Sequence, residues 1–261
     1  MLFSPSSLSN LSVSLSSCIS KFLVIVVLTI TSSYATTLTV AAAADLIQAQ
    51  PELAATFGKR SHVRVVFSPG ASGELARQIE NGAPFDVFLS ANEKYVTDLS
   101  ARGFVLPASV VVYAQGRLGL WSKENNIRTV NELGKTNVRI VALPNPRFAP
   151  YGLAAQQLLE AEGLWSRLQP KIVLGENVSQ AMQFAETGNA DAVITSWTLV
   201  VQRGGVLLPA KHAPILQAAG IVARTRQFDL ASRFIEFLRG SEGQAILSRH
   251  GLMAPPATAG R

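Results

Sequence analysis

The pattern of apolar and polar positions divides the chain after residue 35. Before that point the chain is rich in serine and carries one charged residue, Lys21, followed by an apolar run from Phe22 to Ile30. A basic residue, a short apolar run and the small residues of Ser33-Tyr34-Ala35 are typical of a secretory signal peptide. The apolar run is too short to span a bilayer comfortably. We therefore predict that residues 1–35 are a signal peptide and that the mature protein is periplasmic.

The single cysteine of the chain, Cys18, lies in this predicted signal peptide. A mature chain without it has no disulfide, no thiol nucleophile and no thiolate metal site. The segment Leu15-Ser-Ser-Cys18 also permits a second interpretation, as a lipid-attachment box. No basic residue or apolar core precedes Cys18 and both follow it, which favours the signal peptide.

Beyond residue 35, short apolar runs alternate with amphipathic stretches, which predicts strands that alternate with helices. The predicted strands span residues 38–42, 63–67, 86–89, 110–113, 118–121, 139–143, 171–174 and 192–195. The predicted helices span residues 45–57, 72–81, 93–102, 150–163, 177–187, 229–239 and 242–250. This order is typical of an α/β fold with mostly parallel sheets flanked by helices. Pro51 falls inside the first predicted helix and should kink or divide it.

Composition and charge narrow the class of protein. With 261 residues, of which 48% are hydrophobic and 15% charged, the chain can form two small folded domains or one large one. The net charge is +6, or +5 once Lys21 leaves with the signal peptide. No dense block of lysine and arginine occurs, so we do not expect nucleic-acid binding. A modest positive field favours an anionic ligand or an anionic membrane surface, and a solvated basic surface explains the charge equally well.

Four predicted strand-to-helix junctions consist mainly of small or helix-capping residues: Ala43-Ala44-Asp45, Gly70-Ala71-Ser72-Gly73, Ala149-Pro150-Tyr151-Gly152 and Glu176-Asn177-Val178. Open α/β sheets bind ligands at the carboxyl ends of their strands, and the first N–H groups of a helix have no partner within it. Several converging helix N-termini would therefore bind a small anion without a charged side chain. The same residue types also serve ordinary packing and capping, so the junctions alone leave the site open.

The segment from Gly70 to Ala91, GASGELARQIENGAPFDVFLSA, is the most specific of these features. It resembles a signature of the periplasmic molybdate-binding proteins of ABC transporters. The likeness covers nearly all of residues 37–254, and four further segments carry it in order: 40–46, 112–122, 149–152 and 176–178. The resemblance implies a two-lobed periplasmic binding protein of type II, with a ligand cleft between the lobes. Lobe 1 would comprise residues 36–114 and 218–261, and lobe 2 residues 115–217.

The resemblance also implies which residues hold the ligand. In lobe 1 they would be Ala44, Asp45, Ala71 and Ser72, and in lobe 2 they would be Tyr151 and Val178. Ser72 would donate from its side chain, whereas Tyr151 and Val178 would donate from their backbone N–H groups. No cofactor and no metal cation are implied, because the molybdenum binds only as its oxyanion.

Two positions depart from the pattern of the family. Asp45 stands where a neutral hydroxyl or amide residue is frequent, and its carboxylate would repel a dianion. We therefore expect the Asp45 backbone N–H to serve the ligand while the side chain turns away and caps its own helix. Thr195 stands where some members carry a tyrosine that reaches the ligand, and Thr195 is too short for that role.

The implied function is that of an extracytoplasmic solute-binding protein, a monomer that delivers molybdate or tungstate to the membrane permease of an ABC transporter. Both anions are unprotonated dianions at neutral pH and fit a site of donors alone, whereas phosphate carries a proton and prefers an acceptor. Sulfate has the same charge, so a binding protein or sensor for another oxyanion such as sulfate is the alternative. The predicted hinges between the lobes are residues 113–117 and 217–220.

A secreted hydrolase is the less favoured alternative. Ser72 lacks the second glycine of a nucleophile elbow at the required place. The residues left for acid–base or metal chemistry have no recognisable partner in the sequence and are better explained as structural: His62, His212, His250, Asp86 and Asp191. We therefore expect no enzymatic activity.

Overall fold

The computed structural model describes residues 36–124 and 126–257. The predicted signal peptide and Cys18 lie outside these residues. Within them, every helix is too short or too polar to cross a membrane. The strands of the described part are β1 (Thr37–Ala43), β2 (Arg64–Gly70), β3 (Val87–Ser90), β4 (Val111–Gly116), β5 (Leu118–Trp121), β6 (Val141–Pro144), β7 (Ile172–Gly175), β8 (Ala192–Ser196), β9 (Val206–Leu207) and β10 (Ile215–Ile221).

The helices mostly fall where the amphipathic stretches predict them. In the described residues they are α1 (Gln50–Ser61), α2 (Ser72–Glu80), α3 (Glu93–Ala101), α4 (Pro150–Ala161), α5 (Trp165–Leu168), α6 (Val178–Glu186), α7 (Trp197–Val200), α8 (Phe228–Arg239) and α9 (Ser241–Arg249). The first predicted helix is divided, as Pro51 requires. A short 3-10 turn, Ala44–Leu46, precedes α1, and Pro51 occupies the first turn of α1, where its missing N–H costs no hydrogen bond.

The strands form two five-stranded sheets, one with the order β2-β1-β3-β10-β4 and the other with the order β7-β6-β8-β5-β9. In the first sheet β1 pairs in parallel with β2 and β3, whereas β10 runs antiparallel to β3 and β4. In the second sheet β6 pairs in parallel with β7 and β8, whereas β5 runs antiparallel to β8 and β9. The α/β prediction is confirmed. The sheets are mixed instead of mostly parallel, because the strands near each crossing between the sheets run against their neighbours.

The chain passes between the two sheets at short connections. It leaves the first sheet with β4 at Gly116 and enters the second with β5 at Leu118, so these strands do not form a hairpin. It returns between Leu207 of β9 and Ile215 of β10. The predicted hinge at residues 217–220 therefore lies inside a central strand, whose ladder shifts register between Gln217 and Ala218.

Hydrophobic side chains cover both faces of the first sheet. Alternation along β3 sends Val87 and Leu89 to the side of α1 and α8, and sends Phe88 to the side of α2 and α3. On the first side Phe57 and Phe234 pack edge to face, with ring centroids 5.1 Å apart. The second sheet packs in the same way against α4, α5 and α6. Leu75 and Ile79 of α2 and Val87 and Leu89 of β3 are all buried.

Strand register brings the four junctions to facing edges of the sheets. Ala43 at the end of β1 pairs with Gly70 at the end of β2, and Pro144 at the end of β6 pairs with Gly175 at the end of β7. Each edge is the carboxyl edge of parallel strands, where α/β proteins bind their ligands. The helices α2, α4 and α6 begin at these edges.

Candidate functional site

One small cavity lies where the four junctions meet. Its cavity volume is about 10 Å³. All six predicted ligand residues are among its lining residues, which are Ala43, Ala44, Asp45, Gly70, Ala71, Ser72, Ala91, Ala149, Pro150, Tyr151, Asn177 and Val178. Pockets for drug-sized ligands hold roughly 300–1,000 Å³. The cavity therefore suits a small ion better than an organic molecule.

The lining of this cavity is almost free of charge. Asp45 is its one charged side chain, and none of the lining residues is lysine, arginine or histidine. The polar groups that remain are backbone groups at helix starts, the hydroxyls of Ser72 and Tyr151, and the side-chain amide of Asn177, whose oxygen caps α6. A site with this composition holds an anion through hydrogen-bond donors and not through countercharges.

Ser72 is the first residue of α2 and is fully buried. Its Oγ accepts a hydrogen bond from the N–H of Ala91 at 3.0 Å. This bond fixes Oγ and leaves the hydroxyl proton available to an acceptor in the cavity. The following amide, that of Gly73, donates to the carbonyl of Phe148 at 3.0 Å. The start of α2 therefore offers the Ser72 hydroxyl and the Ser72 amide to a ligand.

Tyr151 carries the one backbone N–H in the first turn of α4 that remains available to a ligand. Pro150, the first residue of the helix, has no N–H, and the amides of Gly152 and Leu153 both donate to the Ala149 carbonyl, at 2.9 and 3.2 Å. The Tyr151 amide remains for a ligand. Gly152 allows this close approach, since a Cβ there would lie 2.2 Å from the carbonyl oxygen of Pro144.

Val178 has the same role at the start of α6. The side chain of Asn177 caps the helix and accepts from the amides of Ser179 and Gln180, at 2.9 and 3.1 Å. The Val178 amide is the first-turn donor that the cap leaves unused. Thr195, which the sequence excludes from the ligand set, donates from Oγ1 to the Val178 carbonyl at 3.1 Å and so fixes this turn from below.

The side chain of Asp45 differs from its prediction. It does not cap its own turn, whose N-cap residue is Ala43. Its Oδ2 instead accepts from the Tyr151 hydroxyl at 2.8 Å and from Nε2 of Gln217 at 2.6 Å. Nε2 of Gln217 also lies 3.1 Å from the Tyr151 hydroxyl, and Oε1 of Gln217 accepts from the Tyr113 hydroxyl at 3.3 Å. Asp45 is thus part of a buried polar network, because residues distant in sequence supply stronger partners than its own turn.

Burial dominates the acidity of this network. It raises the pKa of Asp45 from 3.8 to about 7, against hydrogen bonds from Tyr151, Gln217 and the Asp45 backbone, which lower it. Burial also raises the pKa of Tyr151 and of Tyr113 well above 10, and the nearby Asp45 charge adds to both shifts. The two tyrosines therefore stay neutral, and Asp45 is the group that titrates near neutral pH.

Several hydrogen bonds join the two sides of the cavity. The Thr198 hydroxyl donates to the Asp45 carbonyl at 2.6 Å, and the Ser179 hydroxyl donates to the Ala44 carbonyl at 3.4 Å. Together with the Asp45–Tyr151 bond, these contacts tie the turn after β1 to the second sheet and its helices. Sequence reasoning missed Thr198, and also Gln217, which is 172 positions from Asp45 and carries no local motif.

The residues considered for acid–base chemistry lie away from the cavity. Asp86 accepts from Thr39 and Thr225, and Asp191 accepts from the amides of Arg139 and Ile140, so both carboxylates fix strand ends. The expectation that His250 lacks an acid partner is wrong, since its Nε2 lies 3.0 Å from Oε2 of Glu52. Among the described residues, no cluster of three or more histidine, cysteine, aspartate or glutamate side chains could hold a metal ion.

Comparison with known proteins places this architecture in a family. The family model described as bacterial extracellular solute-binding protein matches residues 38–253. The molybdate-binding protein ModA of Rhodobacter capsulatus is 33% identical over 218 residues, which cover 81% of this chain and 86% of that protein.

Solved structures share the fold. The periplasmic molybdate-binding protein of Azotobacter vinelandii superimposes with a TM-score of 0.77 at 34% identity, over 84% of this chain and 100% of that one. A sulfate-binding protein of Mycobacterium tuberculosis, at 17% identity, superimposes with a TM-score of 0.70 over 86% of this chain and 88% of that one. These matches confirm the predicted two-lobed fold and the predicted non-enzymatic class, and the chain belongs to the family of bacterial extracellular solute-binding proteins.

Proposed function

We propose that this protein captures molybdate or tungstate in the cavity between its lobes and delivers the anion to the permease of an ABC transporter. The observation that carries the proposal is a set of hydrogen-bond donors that the neighbouring residues leave available to a ligand. The Ser72 hydroxyl and the amides of Tyr151 and Val178 border one small cavity whose lining contains no cation. Molybdate is also the ligand named for the relatives from Rhodobacter capsulatus and Azotobacter vinelandii.

We propose the same ligand set that the sequence predicts. Tyr151 and Val178 donate from lobe 2, and Ser72 donates from lobe 1 through its hydroxyl. Ala44 and Asp45 add the amides of the short turn after β1, whose first N–H groups have no partner within the turn, and Ala71 lines the same wall. Each hydrogen bond to a charged group stabilises a complex by about 1.5–3 kcal/mol, so a handful support tight binding after the costs of association.

The donor-rich lining favours tetrahedral dianions that carry no proton. Molybdate and tungstate meet this condition at neutral pH. Hydrogen phosphate does not, because its O–H needs an acceptor, and the one carboxyl group in the lining, that of Asp45, already accepts hydrogen bonds from Tyr151 and Gln217. Sulfate matches the charge of molybdate but is smaller, so the size of the closed cavity has to exclude it.

Delivery requires the two lobes to open and close around the anion. The family is extracellular, and we propose export to the periplasm by the signal peptide of residues 1–35 and action as a monomer. The predicted lobe limits, residues 114/115 and 217/218, lie close to the two connections between the sheets. Closure follows if the anion binds the closed arrangement better than the open one.

Calorimetric titration of the purified protein with molybdate, tungstate, sulfate and phosphate tests the proposal. We expect binding of one molybdate or tungstate per chain, and sulfate and phosphate at least about 100-fold weaker. Absence of heat with molybdate and tungstate, together with clear binding of sulfate, would overturn the assignment in favour of another oxyanion.

A further inference from the structure

We infer that Asp45 binds the oxyanion as a protonated carboxyl group, so that each captured anion brings one proton from solvent into the site. The inference rests on the proposed function and adds a proton to its ligand set. In the bound state Oδ1 of Asp45 carries the proton and donates to an oxyanion oxygen. The bond that forms is Oδ1–H, and the proton comes from water or buffer.

The two carboxyl oxygens of Asp45 differ in their hydrogen-bond partners. Oδ2 already accepts two hydrogen bonds, from the Tyr151 hydroxyl and from Gln217. Oδ1 is buried and makes no hydrogen bond to another of the described residues. A buried polar atom without a partner is costly, and in a native protein it calls for an explanation such as a ligand. Because Oδ2 already accepts two hydrogen bonds, a proton on this carboxyl group would be carried by Oδ1. The resulting Oδ1–H group would be a hydrogen-bond donor.

Among residues 36–124 and 126–257, no cation lies against Asp45 that would hold its carboxylate charged. The turn that carries it packs against β2, α6 and α7. Charged residues on those elements lie at ends remote from the turn: Arg64 begins β2, and Glu186 ends α6, where it pairs with Arg203. The helix α7 contains none.

The remaining neighbours of Asp45 belong to α4, β4 and β10, and they face it with neutral groups. These are the hydroxyls of Tyr151 and Tyr113 and the amide of Gln217. The one charged residue of α4, Glu160, lies at its far end, and β4 and β10 contain no charged residue. Asp45 is therefore the group that responds to a negative charge placed in the cavity.

A dianion next to ionised Asp45 would bring three negative charges into a buried space without a cation. Protonation of Asp45 removes one of those charges and replaces a repelling oxygen with a donor. The group is prepared for this step, because burial raises its pKa to about 7 before any ligand arrives. The bound dianion raises that pKa further, so proton uptake is nearly complete above about pH 8 and fades below about pH 6.

Titration calorimetry with molybdate in two buffers of different ionisation enthalpy counts the protons. At about pH 8 we expect the protein to take up close to one proton for each molybdate bound. The affinity should fall about tenfold per pH unit well above the pKa of free Asp45, so that it is about 50-fold weaker at pH 9 than at pH 7. This count uses the unaltered protein and needs no variant.

Asp45→Asn provides the matched comparison, because its amide is a permanent neutral mimic of the protonated carboxyl group. We expect this variant to bind molybdate without proton uptake and with an affinity that is flat between about pH 6 and 9. Asp86→Asn removes a second largely buried carboxylate that lies outside the cavity, and it should keep the proton uptake of the unaltered protein.

Binding of molybdate with no proton uptake, or loss of binding in a folded Asp45→Asn protein, would overturn the inference and leave the proposed function standing. Tight binding of phosphate above pH 8 that Asp45→Asn abolishes would also overturn it, because the carboxylate would then act as an acceptor. Failure of both proteins to bind molybdate or tungstate at pH 6 would contradict the proposed function itself.

Discussion

The two lobes present different chemistry to the same cavity. Lobe 2 offers main-chain donors, the amides of Tyr151 and Val178. Tyr151 follows a proline, which has no N–H, and Val178 follows Asn177, whose side chain accepts from the next two amides of the helix. Lobe 1 adds two side chains to its backbone amides, the hydroxyl of Ser72 and the carboxyl group of Asp45. The lobe 2 wall is therefore set by backbone geometry, whereas the lobe 1 wall depends on residue identity as well.

This difference separates two properties of the site. Backbone donors persist through most side-chain replacements and carry no titratable group, so we expect the lobe 2 wall to bind the anion independently of pH. Side-chain donors change with a single substitution, and a buried carboxyl group changes with pH. The lobe 1 wall is consequently where selectivity and pH response arise. Each prediction below alters one wall while the other stays intact.

The largest effect is expected on stability, from Asp45. Because burial raises its pKa from 3.8 to about 7, the folded protein binds more protons than the unfolded chain between these pH values. The contribution of Asp45 to the free energy of unfolding is therefore fully present below about pH 4 and is lost as pH rises to about 7. The full loss is on the order of 4 kcal/mol. Chemical denaturation without ligand, at pH values across this window, measures it.

Asp45→Asn removes this titration and is the comparison for it. The difference in unfolding free energy between the unaltered protein and Asp45→Asn should change steadily from pH 4 to pH 7 and stay constant above. Other carboxylates, such as Glu132, whose pKa is lowered to about 2 chiefly by Lys135, titrate alike in both proteins and cancel. Parallel curves of unfolding free energy against pH for the two proteins would show that the buried carboxyl group is not the source of the pH-dependent stability.

The largest effect on binding is expected from Val178→Pro, which removes a backbone donor from the lobe 2 wall. Val178 is the first residue of α6, a position where proline is well tolerated, and Asn177 before it is already extended, with φ −147° and ψ −178°. The substitution removes the amide donor and places a ring carbon where the ligand oxygen would lie. We expect affinity for molybdate to fall at least about 100-fold, from a lost charged hydrogen bond plus the steric conflict. Circular dichroism should show the helix content unchanged.

Val178→Ala is the matched control, because it shortens the same side chain and keeps the amide. Its affinity should stay within about threefold of the unaltered protein. A large loss in Val178→Ala, or full affinity in Val178→Pro, would show that lobe 2 acts through the valine side chain and not through its backbone.

The contrast between the walls also explains which parts of the site the sequence predicts. Proline at the start of α4, the small residues Ala149 and Gly152 beside it and asparagine before α6 are local signals, and the donors that they leave follow from helix geometry. Strand β10 carries no such signal. Its sequence, ILQAAGI, mixes small residues with a glutamine and does not alternate, and its place in the centre of the first sheet comes from pairing with β3 and β4.

Asp45 shows the same limit for a single side chain. An aspartate at a strand-to-helix junction predicts a local cap, but the 3-10 turn begins two residues too early, with Ala43 at its N-cap position. The carboxyl group therefore lies inside the turn and meets Tyr151 and Gln217, from elements that follow 106 and 172 positions later. Sequence patterns indicate which backbone groups are free at a helix start. They do not indicate which distant side chains arrive beside them.

A smaller effect on binding, about 10-fold to 100-fold, is expected from Ser72→Ala. The substitution deletes one hydroxyl donor to a charged ligand, and it leaves the Ala91 amide without its acceptor. Ser122→Ala is the matched control, since Ser122 is equally buried and its Oγ also accepts a backbone amide, that of Ile127, but it does not line the cavity. Calorimetry should show weaker molybdate binding only in Ser72→Ala, with the proton count per bound anion unchanged. Equal affinities in the two variants would remove Ser72 from the ligand set, and a changed proton count would mean that the hydroxyl and the Asp45 carboxyl group act as one unit.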